Sequence, residues 1–147
     1  MSESMIRQQI YTILSGVPGV GKVYDYERWS VDWTKFVTLF QDSASGRILG
    51  WEMSRVAVES QFLSRVEEEV THRFVIKGYL GLKDADATEK LFNGLIEAIR
   101  AAFRGNVTLN GVAELATPLT APIIDVRTFG SVLCHYGELH LAVTEII

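Results

Sequence analysis

Cysteine is nearly absent. Cys134 is the single one in 147 residues, so no intrachain disulfide can form, and a reducing compartment is the expected setting. Long hydrophobic runs are missing too. No stretch approaches the ~20 apolar residues of a membrane-spanning helix. The N-terminal MSESMIRQQ has no basic region leading into an apolar run, so a secretory signal is not expected. Basic charge is in short supply: 14 Lys and Arg face 18 Asp and Glu, a net charge of −4. The basic residues are scattered, which argues against a chain that wraps nucleic acid through phosphate contacts. Repeats, low-complexity tracts and an interdomain linker are also lacking. What remains is ordinary globular material, 48% apolar and 22% charged. It is enough for one domain, 1–147, with a sizeable core.

The pattern is clearest from Val70 to Asn106. Residues alternate from Val70 to Leu82, with His72, Phe74, Ile76, Leu80 and Leu82 on one side and Arg73, Val75, Lys77 and Tyr79 on the other. That period of two predicts a strand with one face on a core. After Asp84 the period changes. Leu91, Phe92, Leu95, Ala98, Ile99, Ala102 and Phe103 recur at three and four, which predicts an amphipathic helix. Asp86 and Glu89 resemble a capping box and suit the positive end of the helix dipole. Gly105 is placed to end the helix.

Around this unit the rest of the chain reads in order. Residues 3–15 predict a first helix, with Ile6, Ile10, Ile13 and Leu14 on one face; Ser2 or Ser4 can cap it and Gly16 can stop it. A glycine-rich link leads to a short strand at 22–26, then an irregular stretch at 27–33. Phe36–Phe40 reads as a strand, Gln41–Gly46 as a polar loop and Arg47–Glu59 as a longer strand with Leu49, Trp51 and Met53 on one face. Residues 60–69 fit either a helical turn or the tip of a long hairpin. Val107–Leu115 reads as a strand with a tight turn at Asn110-Gly111, Thr117–Pro122 as a loop, and Ile123–Phe129 as a strand. Gly130 marks a bend. The last strand, Val132–Thr144, sets Leu133, Leu139, Leu141 and Val143 against Cys134, Tyr136, Glu138 and His140. The expected class is α+β: a mostly antiparallel sheet of about six to seven strands packed against two helices.

Chemistry-bearing patterns are few. Gly16, Gly21 and Lys22 match the first seven positions of a phosphate-binding loop, but Val23 stands where Ser or Thr should hold magnesium. Such a loop also follows a buried strand and opens a long helix, and neither is expected here. The bland reading is a helix cap and a turn. Of the three histidines, His135 and His140 are five apart in one strand and so face opposite ways; with His72 they read as ordinary strand residues rather than metal ligands. Cys134 and His135 point apart and form no dyad. Glu67, Glu68 and Glu69 could pair as acid and base, but a solvated run is the expectation. No catalytic, cofactor or metal site is expected. The large aromatics Trp29, Trp33, Trp51, Tyr24, Tyr26, Tyr79 and Tyr136 stand out. They suit a subunit or partner interface or a second core layer.

Three segments carry a resemblance: GVPGVGKVYDYERW from Gly16, HRFVIKGYLGLKDADAT from His72, and FGSVLCHYGELHL from Phe129. Together they resemble the tail-terminator or tail-completion proteins of long-tailed bacteriophages and related prophages, over most of the chain. The resemblance implies a non-enzymatic homo-oligomeric ring, commonly a hexamer. Such a ring caps the tail tube and joins it to a neck or connector protein. It implies a place in the virion, assembly in the host cytoplasm, and a lumen through which genomic DNA passes without specific binding. Acidic composition suits passage, since attraction would hinder it. On this reading Trp29, Trp33, Trp51, Tyr79 and Tyr136 are interface candidates, and Glu67, Glu68 and Glu69 line the lumen or rim. The alternatives are a neck adaptor, a nucleotide-binding enzyme using Gly16–Lys22, and a monomeric binding module.

Overall fold

A computed structural model describes residues 3–30 and 32–147. The element order is α1 (Glu3–Ser15), β1 (Lys22–Val23), α2 (Trp33–Phe40), β2 (Leu49–Phe62), β3 (Glu68–Gly81), a 3-10 turn (Asp84–Asp86), α3 (Thr88–Arg104), β4 (Leu115–Ala116), β5 (Thr120–Phe129) and β6 (Val132–Ile146). The sheet runs β1-β2-β3-β6, and β4 and β5 share the far edge of β6. Among the described residues only β1 with β2 is parallel; the other pairings are antiparallel. The expected α+β class holds, with a third helix added.

Register fixes the two faces, because residues directly opposite in antiparallel strands share a face. Trp51 pairs with Gly78, and Gly78 with Gly137. This row lies beneath α1 and α3. Ile6, Ile10 and Leu14 from one helix and Phe92, Leu95, Ile96, Ile99 and Phe103 from the other bury against Met53, Phe74, Ile76, Leu139, Leu141 and Val143. The two glycines leave a recess in the sheet. Trp51 lies across it, and Phe92 stacks on the indole at 5.7 Å and 9°. A Cβ on Gly78 would stand 2.1 Å from the Trp51 ring.

The opposite face is covered only in part. Phe36 and Phe40 of α2 pack there on Ile48, Tyr79, Cys134 and Tyr136, and Phe36 stacks on Phe129 at 5.0 Å. Residues 36–40 are therefore helical, not a strand. Asp32 caps α2 by accepting from the Lys35 N–H at 2.9 Å, and spacing of four aims Phe36 and Phe40 at the same patch.

Other boundaries shift for local reasons. Of the cap candidates for α1, Ser2 lies outside the described residues and Ser4 lies within the helix. The strand expected at 22–26 is only Lys22–Val23. Ala87, in the left-handed region at φ 53°, precedes α3 in place of an Asp86 cap. Asp86 instead faces Arg47 at 3.4 Å and Lys83 at 3.5 Å. The α3 stripe is rotated slightly from expectation: Ile96 is buried, while Leu91 and Ala98 are exposed. Leu82 and Leu133 lie at the sheet's end and are also exposed. Residues 107–112 form turns rather than a strand, with Leu109 and Asn110 at positive φ. That turn sinks Leu109 into the core, and Asn110 donates to Gln9 on α1 at 2.7 Å. The ambiguous 60–69 stretch is a hairpin tip: Leu63 N–H donates to Glu67 at 2.9 Å.

Candidate functional site

The glycine loop is built around β2, not around an open cradle. Trp51 Nε1 donates to the Val20 carbonyl at 2.8 Å. Gly21 has φ of 89°, and a Cβ there would meet the Leu49 carbonyl oxygen at 2.5 Å. Lys22 Nζ turns away and donates to the Thr38 carbonyl at 3.4 Å. The loop leads into two residues of strand, whereas a phosphate loop needs a helix N-terminus at that point.

The histidines are held at three separate places. His72 Nε2 meets Glu145 Oε2 at 2.6 Å, with Arg55 on its other nitrogen at 3.2 Å. His135 bonds Thr88 Oγ1 at 2.8 Å, and burial lowers its pKa. His140 lies 3.6 Å from Glu138 on the other face. Among the described residues no group of three His, Cys, Asp or Glu side chains is arranged to hold a metal. Cys134 is fully buried, and burial pushes its thiol up to about 11, which disfavours the reactive thiolate.

The three consecutive glutamates do not act as a set. Glu67 is exposed at the tip, while Glu68 and Glu69 belong to β3 and are half-buried. Strand neighbours point apart, and Glu69 is engaged by Gln61 at 2.9 Å.

The interface candidates divide. Trp51, Tyr79 and Tyr136 are buried within the chain, so they belong to core layers rather than to a surface a partner can reach. Trp29 and Trp33 remain exposed, at 84% and 50%. Tyr79 has a polar role inside the fold: its O–H donates to the buried Glu52 carboxylate at 2.8 Å, and the Arg28 N–H donates to the same group at 2.9 Å. Burial is the main cause raising the Glu52 pKa, against the effect of those two bonds. Tyr136 O–H donates to Glu138 at 2.7 Å, which holds that carboxyl below its ordinary value. Beyond this cluster the face opens into a shallow groove of about 430 Å³ floored by Val75 and flanked by Arg73, Thr120 and His140.

Two further surfaces escaped the sequence reading. Among the described residues, β2 past Trp51 pairs only with β3, and β5 pairs only with β6. Each therefore presents an outer edge of backbone groups, at opposite flanks of the sheet. Exposed apolar side chains line both edges: Val56, Val58 and Phe62 on β2, Ile124 and Val126 on β5. The alternation in Ile124-Asp125-Val126-Arg127 was visible in the sequence, but whether a strand lies at an edge depends on pairing order. No protein-family model matches the sequence, and no curated protein matches it significantly.

Proposed function

We propose that this chain is a structural, non-enzymatic protein of a long-tailed phage. Its copies close into a ring, a hexamer on the resemblance described above, that terminates the tail tube and joins it to the neck. The observation that carries this reading is the pair of open strand edges on opposite flanks of one sheet. Unpaired edges are templates for pairing with another chain. A surface that binds a different surface of an identical copy generates rings or filaments rather than isolated dimers. Exposed Trp29 and Trp33 add anchors of the kind that dominate interfaces. In the ring, the exposed Glu67 at the hairpin tip, with Glu68 and Glu69 behind it, lines the lumen or rim. The acidic balance leaves passing DNA unattracted.

The test is native mass spectrometry across salt, then imaging of tails made with and without the protein. Charges on the chain, repelling and attracting alike, are screened beyond ~8–10 Å at ordinary salt, so ring formation should depend on salt. Overlong, irregular tails in its absence support termination. Tails of normal length that fail to join heads support a neck adaptor instead. A monomer at every concentration that also ignores tail ends defeats the proposal. ATP or GTP binding lost on Lys22→Ala would favour the nucleotide-binding alternative.

A further inference from the structure

We propose that neighbouring copies join by antiparallel strand pairing, the distal half of β2 in one copy against β5 of the next, in a register that sets Glu59 opposite Arg127. This rests on the ring reading and specifies the contact that would build the ring.

Direction, face and charge each narrow the choice. Strand direction alternates along β2, β3, β6 and β5. A rotation axis running along the strands therefore brings β5 of one copy antiparallel to β2 of the next, and continues each face of the sheet into the same face. Pro122 and a register break between Thr120 and Ile123 disrupt the first part of β5, and a register break between Arg55 and Ala57 interrupts β2. The uninterrupted edges are thus residues 57–62 and 123–129.

Val58 pairs with His72 and Val126 with His135, which places Val58, Ser60 and Phe62 on the same face as Ile124 and Val126, the helix-covered face. Odd shifts between the edges would put these residues on opposite faces, so only even steps remain. With Glu59 opposite Arg127, Ser60 faces Val126 and exposed Phe62 faces exposed Ile124. A step of two in one direction sets Glu59 against Asp125, a like-charge pair that destabilises. A step in the other direction sets it against Phe129. In the favoured register Glu59, which already pairs with Arg73 at 2.7 Å, gains a second guanidinium. Arg127 gains a carboxylate besides Asp125, which lies 3.1 Å away.

The decisive experiment places cysteines across the predicted contact. Directly opposed antiparallel residues have Cα atoms about 4.5–5.5 Å apart, within disulfide reach. The full chain carrying both Ser60→Cys and Val126→Cys should give, on mild oxidation, a covalent ladder that ends at the ring size. Either single variant should give no ladder, and Ser60→Cys with Ile124→Cys far less product. Buried Cys134 stays in place. Separately, Glu59→Lys and Arg127→Glu should each weaken assembly by roughly fivefold per contact, and their combination should restore it. Intact rings with no 60–126 bond, or with equal yield from the mismatched pair, would overturn the pairing while leaving the ring. Failure of the unaltered chain to assemble overturns both.

Discussion

At position 78 a single hydrogen atom decides whether Trp51 can lie flat on the sheet. Gly78→Ala puts a methyl where the indole already is, so the ring or the strand must shift. The expected loss is about 1–3 kcal/mol, measured by urea unfolding with tryptophan fluorescence; an unchanged midpoint would contradict the flat packing. Glu52 carries a pH signature. Burial, the main cause, raises its folded pKa above the ordinary 4.5. A raised folded value means stability from this group is fully present below the unfolded value and is lost as pH rises through the folded one. Glu52→Gln removes that loss. The stability of the parent relative to the variant should fall as pH climbs from below the ordinary carboxylate range toward neutrality. Parallel curves from urea melts over that range would refute the assignment.

At the scale of elements, β3 and α3 form the unit that was legible beforehand. Each element has its own period, and one face of each had to find the other. Ile99, fully buried between them, should cost about 2–5 kcal/mol as Ala. A loss below about 0.5 kcal/mol, the scale of surface changes, would mean the helix does not pack there. Within α2, Phe36-Val-Thr-Leu-Phe40 suits a strand by composition, yet it is helical. The decisive signals were Asp32 as a cap and the spacing of two phenylalanines. Residues 107–115 show the converse: their apolar residues suggest extension, but Leu109 is buried through positive-φ turns that no periodicity announces.

For the whole molecule, exposure separates assembly from stability. Trp29 is mostly solvent-exposed, so Trp29→Ala should change unfolding free energy by no more than about 0.5 kcal/mol. As an interface anchor its truncation should weaken ring formation by roughly tenfold or more. Sedimentation or native mass spectrometry against concentration reads the second quantity and urea melts the first. An unchanged assembly curve would remove Trp29 from the interface.

The α+β class, the central strand and helix, the first helix and most of the core stripe followed from the sequence alone, because periods of two and 3.6 are local consequences of backbone geometry. The tertiary structure decided what depends on partners distant in the chain. It placed Trp51, Tyr79 and Tyr136 inside, since the pairing Trp51–Gly78–Gly137 and the docking of α2 form across long sequence separations. It folded the Gly16–Lys22 stretch onto β2, where Trp51 anchors it. It also left β2 and β5 at the flanks: a strand's own residues set which faces it has, but the order of strands in the sheet sets which edges stay open.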